Sequence, residues 1–178
     1  SEDLLAKTIG DLGLDLLAIV NTHGHPDHTC GNSRMKALTG APVLMHQADD
    51  ELFRREDVAA MFTAWGFEPA PPADGFLQDN QEIRIGQLTF KVIHTPGHSP
   101  GSICLYGHGY LITGDTLFID AAGRTDLPGG SFDLLKQSLL TRIMPLPDET
   151  IILPGHDYGP RPTDTLGNQK RTNPFLAF

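Results

Sequence analysis

The sequence predicts an α/β fold, on two observations. A hydrophobic run from Leu14 to Val20 lies between one helix-compatible segment, 2–13, and another that opens at Asp27 or His28. That run feeds directly into Thr22-His23-Gly24-His25-Pro26-Asp27-His28, a polar loop at a strand end, the place where α/β sheets put their sites. The length of 178 residues favours one domain, 1–178, with a core of its own.

The elements follow in order. Residues 2–13 place Leu4, Leu5, Ile9 and Leu12 on one side of an amphipathic helix, and Gly13 is placed to end it. Residues 15–21 form a buried strand. The next helix runs to about Leu38 and stops at Gly40. A short strand at 41–46 precedes two short helices, Ala48–Arg55 and Val58–Trp65. His46, directly after its strand, has the ordinary role of a solvated or hydrogen-bonded histidine. Gly66, Pro69, Pro71, Pro72 and Gly75 make 66–81 a loop rather than a domain boundary, because neither side carries a complete set of elements. Strands follow at Glu82–Ile85 and Leu88–His94, then a tight loop from Thr95 to Gly101. Ser102–Tyr106 and Tyr110–Thr113 pair across Gly107-His108-Gly109, leaving His108 solvated at the tip. After Gly114-Asp115-Thr116 come a glycine-rich loop, a helix from about Phe132 to Arg142, a buried strand at Ile151–Leu153 and a last short helix at 163–173.

Composition narrows the function classes. With 39% hydrophobic and 20% charged residues the chain is globular rather than disordered. No apolar run approaches the roughly 20 residues that span a bilayer, so no membrane partner is expected. No signal peptide is visible, and the expected location is cytoplasmic. The net charge of −9 argues against a nucleic acid partner, whose phosphates call for a basic footprint. Cys30 and Cys104 make no disulfide framework; Cys30 is read as a small thiol, with a metal or redox role as the alternative, and Cys104 as strand packing.

Histidine and aspartate are ligands that zinc, iron and manganese accept. With 8 histidines in the chain, the H-x-H-x-D-H spacing arises by accident in roughly one chain in a thousand. His98, Asp115 and His156 each lie in a Gly- or Pro-bearing loop beside an apolar strand, repeating the layout of the first motif. The stretches THGHPDHTCGN (22–32), HTPGHSPGS (94–102), GDTLF (114–118), GRTDLPGG (123–130) and PGHDYG (154–159) resemble the metallo-β-lactamase superfamily in its glyoxalase II-like branch, in the family's order and across nearly the whole chain.

The resemblance implies an αββα sandwich with two divalent metal ions, zinc first and iron or manganese otherwise. His23, His25 and His98 would hold one ion, Asp27, His28 and His156 the other, and Asp115 would bridge them. All seven should then converge in one pocket. The family begins with further strands before the helix found at 2–13, so the first sheet is expected to be incomplete, with an apolar face or edge open.

The implied function is a metal-dependent hydrolase that cleaves a glutathione thioester with a metal-bound hydroxide, Asp27 and Asp115 serving catalysis. The leaving thiolate needs no strong general acid. A persulfide dioxygenase with one iron on His23, His98 and Asp115 is the alternative. A true β-lactamase fits less well, since zinc β-lactamases commonly place a cysteine or another residue where this chain has His28 or Asp115. A nuclease is disfavoured by the acidic balance. A non-catalytic zinc protein is a further class, though structural zinc sites usually close with cysteines. Arg124, Arg161, Lys170 and Arg171 are candidates for pairing with the carboxylates of glutathione, and Tyr158 for lining the pocket. A homo-oligomer is among the expected partners.

Overall fold

A computed structural model of the chain describes residues 2–176. It contains two compact units, Ser1–Leu77 and Gln78–Phe178.

The first unit alternates helices with short strands: α1 (Glu2–Asp11), β1 (Ile19–Val20), α2 (Pro26–Thr29), α3 (Asn32–Thr39), β2 (Val43–Met45), α4 (Gln47–Phe53), α5 (Glu56–Ala64) and β3 (Gly75–Phe76). The sheet order is β1-β2-β3 and both pairings are parallel. All three strands therefore end at the same edge. The strand expected over 15–21 shrinks to Ile19–Val20, and Leu14 and Leu17 are 58% and 59% exposed. The reason is position. β1 is an edge strand with β2 on one side only, so an apolar run does not by itself obtain a covering neighbour. The stripe of α1 is open as well, with no residue of that helix buried.

The helix expected from Asp27 or His28 to Leu38 is two helices, interrupted at Cys30 and Gly31. Pro26 starts the first, where its missing amide hydrogen costs nothing. In a continuous helix the His28 carbonyl would accept from the Asn32 amide. Here it accepts from Asn21 Nδ2 at 3.0 Å, and the Asn32 side chain donates to Asn21 Oδ1 at 2.8 Å. The residue that follows β1 thus sets the break. The 66–81 loop contains β3, which the Gly- and Pro-rich composition conceals; Asp74 fixes it by accepting from Val43 N at 2.8 Å.

The second unit contains β4 (Glu82–Ile85), β5 (Leu88–His94), β6 (Ile103–Gly107), β7 (Tyr110–Gly114), β8 (Leu117–Phe118), β9 (Ala121–Ala122), α6 (Phe132–Ser138) with a π-helical continuation at Leu139–Ile143, β10 (Ile151–Pro154), β11 (Asp164–Thr165) and α7 (Leu166–Thr172). Its six-stranded sheet has the order β11-β10-β7-β6-β5-β4. β6 is antiparallel to both β5 and β7, and β10 is parallel to β7. Consequently β5, β7 and β10 run in one direction and finish at one edge. The core beneath them joins Ile93, Cys104, Leu111 and Ile152 of the sheet to Leu135, Leu139 and Ile143 of the long helix. Among the described residues, no helix is long and apolar enough to cross a membrane.

These burials give a paired prediction. Leu139→Ala should cost about 2–5 kcal/mol in urea unfolding, because it opens a cavity in a dry core. Leu4→Ser should change stability by no more than about 0.5 kcal/mol. A loss above about 1 kcal/mol for Leu4→Ser would show that the α1 face is covered in solution.

Candidate metal centre

In the first unit the donors sit where β1 hands over to α2. The His23 ring lies 4.9 Å from that of His25 and 4.1 Å from that of His28, centroid to centroid. Ligand atoms of His23 come within 4.8 Å of those of His25 and of His28. Asp27 Oδ2 is 3.6 Å from His28 Nε2. His23 and His25 are buried, His28 is half-buried and Asp27 is exposed. Phe53 and Phe62 meet the His25 ring edge-on at 5.1 and 5.9 Å.

In the second unit the donors follow the three codirectional strands. His98 comes four residues after β5, Asp115 directly after β7, and His156 two residues after β10. One oxygen, Asp115 Oδ2, lies 3.6 Å from His98 Nε2 and 3.4 Å from His156 Nε2. His98 Nδ1 is 2.7 Å from the Arg124 carbonyl. A carbonyl only accepts, so Nδ1 carries the proton and, in the neutral ring, Nε2 keeps its lone pair toward Asp115. Gly123 permits that contact. A Cβ there would stand 1.9 Å from the Asp115 carbonyl oxygen and 2.9 Å from His98 Nδ1.

The donor set fits a divalent metal. Two ligand atoms bound at 2.0–2.1 Å to one tetrahedral ion stand about 3.3 Å apart. The nitrogen–oxygen separations of 3.4 and 3.6 Å approach that spacing. The ligands are imidazole and carboxylate, with neither cysteine among them. Cys104 is buried, and burial pushes its thiol up to about 11.

The residues read as substrate contacts have partners within the chain. Arg124 makes two bonds to Asp126, at 2.6 and 2.8 Å, and holds that carboxyl down at about 2. Arg161 lies 2.5 Å from Asp164. Burial opposes the charge on Asp164, yet hydrogen bonds from Asn168, Gln169 and Arg161 keep its carboxyl below the ordinary range. Lys170 donates to Asp148 at 2.6 Å and to the Leu146 carbonyl at 2.8 Å. Arg171 reaches Asn168 at 3.3 Å. A substrate carboxylate would have to compete with each of these. Tyr158 is 70% exposed and stacks on His156, centroids 4.8 Å apart and planes 6° from parallel.

Two further histidines act as acceptors. His46 Nδ1 accepts from Ala48 N at 3.2 Å and caps α4. His108 Nε2 accepts from Thr89 N at 3.1 Å. The Arg124 carbonyl, which orients His98, was not legible in the sequence, because a backbone group carries no side-chain signature.

Residues 1–156 match the family model described as the metallo-beta-lactamase superfamily. The chain belongs to the metallo-β-lactamase superfamily. Hydroxyacylglutathione hydrolase GloC of Haemophilus influenzae is 35% identical over 180 residues, covering 97% of this chain and 81% of that protein. The human mitochondrial persulfide dioxygenase ETHE1 is 32% identical over 97% of this chain and 61% of its own length. Among solved structures, BLEG-1 B3 metallo-beta-lactamase superposes with a TM-score of 0.88 at 35% identity, covering 100% of this chain and 85% of that one. TTHA1623 in a di-iron-bound form superposes with a TM-score of 0.84 at 37% identity, covering 99% and 85%. These relatives are consistent with the glyoxalase II-like branch of the superfamily, and its fold is the one observed here.

Gly123→Ala tests the support of His98. The added methyl must displace either the Asp115 backbone or the His98 ring, so metal affinity should fall about 10–100-fold in a chelator competition. Unchanged affinity would show that the Arg124 carbonyl does not set the ring.

Proposed function

We propose that the chain is a two-metal hydrolase that cleaves a glutathione thioester. The carrying observation is the single Asp115 oxygen that faces both His98 and His156. A one-iron centre on His23, His98 and Asp115 has no use for His156, whereas a two-metal centre needs a carboxylate of this kind. On this reading His23, His25 and His98 hold one ion, Asp27, His28 and His156 the second, and Asp115 serves both. The similarity to hydroxyacylglutathione hydrolase GloC, matched over 81% of its length, supports the thioester hydrolase part of the reading.

When bound, the ions supply Lewis acidity and bring the pKa of a bound water toward neutrality. The chain's own residues do the rest. Asp27, the exposed carboxylate of the set, accepts a hydrogen bond from the attacking water and aims it. Because a thiolate leaves without strong acid assistance, no proton donor is assigned to it. Tyr158, flat against His156, walls the substrate side. Arg124 can turn to a substrate carboxylate, since its pair with Asp126 is exposed to water and therefore weakly held.

Persulfide dioxygenation is the second reading, favoured by the similarity to ETHE1. Elemental analysis with parallel assays separates the two. The hydrolase reading expects about two metal ions per chain, zinc first, and thioester cleavage without oxygen. One iron per chain, with oxygen consumed on adding glutathione persulfide and no thioester cleavage, would establish the dioxygenase. A β-lactam in the same panel covers the similarity to BLEG-1; hydrolysis of it in place of the thioester would contradict the proposal.

A further inference from the structure

β1 and β2 are parallel neighbours, so the segments that follow them leave the sheet at one edge. After β1 comes the loop carrying His23 and His25; after β2 come His46 and the first turn of α4. This juxtaposition brings Asp49 against the loop. Asp49 is 0% exposed, and its Oδ2 accepts the Gly24 N–H at 2.7 Å. Gly24 is the residue between the two histidines. Phe53 lies one turn further along α4 and meets the His25 ring at 5.1 Å. The fit is close on both sides: a Cβ on Gly24 would stand 2.3 Å from Phe53 Cδ2 and 3.2 Å from Asp49 Cβ.

A carboxylate is costly to bury, and burial is tolerated where it makes charge-assisted hydrogen bonds. Capping does not account for Asp49, because the His46 side chain already caps α4. Its Oδ2 accepts from the amide of Gly24, the residue that sets the spacing of His23 and His25. We propose that Asp49 is a positioning residue for the metal-binding loop, so that metal affinity depends on a side chain that is not itself a ligand. Phe53 is the second point of the same clamp, an apolar wall that keeps the His25 ring from turning. The proposal rests on the metal reading above and adds to it a residue outside the seven donors.

Zinc affinity by chelator competition and the thermal midpoint of the metal-free chain, measured on the full chain, test it together. Asp49→Ala should weaken zinc binding about 10–100-fold, as loss of a group behind a ligand does. Asp49→Asn offers the same N–H an amide oxygen in a bond about half as strong, and should recover part of the affinity. Should Asp49→Ala not fold, Gly24→Ala takes its place, since its methyl pushes the loop off α4; it should weaken zinc binding as well. In the cobalt-substituted chain, the absorption bands of each variant should shift from those of the wild type. Wild-type zinc affinity in Asp49→Ala together with a lowered metal-free midpoint would overturn the proposal, for Asp49 would then serve stability alone. Asp49→Asn binding zinc no better than Asp49→Ala would overturn it too. A wild-type chain that takes up no zinc or cobalt would instead overturn the metal reading, and this proposal with it.

Discussion

Electron-pair donors crowd together at the strand ends, and that crowding governs much of the second unit. Asp115 Oδ2 has an imidazole nitrogen at 3.6 Å on one side and another at 3.4 Å on the other. In the neutral His98 ring the proton sits on Nδ1, which donates to the Arg124 carbonyl and leaves Nε2 toward Asp115. Such a cluster is held only by a rigid frame, and the frame is the sheet. β5, β7 and β10 run the same way, so their ends present the three donors at one edge. Below them, Leu111, Ile152, Leu135 and Leu139 make the dry core that resists rearrangement.

The donors differ in their access to water, and the difference bears on the proposed chemistry. His23, His25 and His98 are 1%, 3% and 2% exposed, whereas Asp27 is an exposed residue and His156 a half-exposed one. The ion assigned to the three buried histidines would be the drier and more firmly held of the two. The other set, with Tyr158 against His156, is where a substrate and its attacking water would arrive. The first unit supports its donors in a different way. There a short strand is followed by Asn21, whose side-chain amide donates to the His28 carbonyl where the following helix breaks, and α4 closes on the loop through Asp49 and Phe53.

The strand-and-loop rhythm of the chain was legible in the sequence because it is local. Apolar runs ending in Gly- or Pro-bearing loops located β5, β7 and β10 and the donor that follows each. What was not legible depends on partners far along the chain. The Leu14–Val20 run has the composition of a buried strand, yet β1 lies at a sheet edge and its leading leucines face water. The break after α2 is made by Asn21, seven residues before His28. Asp49 meets Gly24 across 25 positions. Charge and the family resemblance make the basic residues near the end candidates for substrate contacts; their pairing with Asp148, Asp164 and Asn168 requires the folded backbone.

The proposed chemistry stands on Asp115 linking two ions in one centre. X-ray absorption on the metal-loaded chain measures this directly. The expected result is a metal neighbour about 3.5–4 Å from each absorbing metal, with a first shell of nitrogen and oxygen and no sulfur. A shell holding a single metal with no second metal in that range, or one containing sulfur, would contradict it.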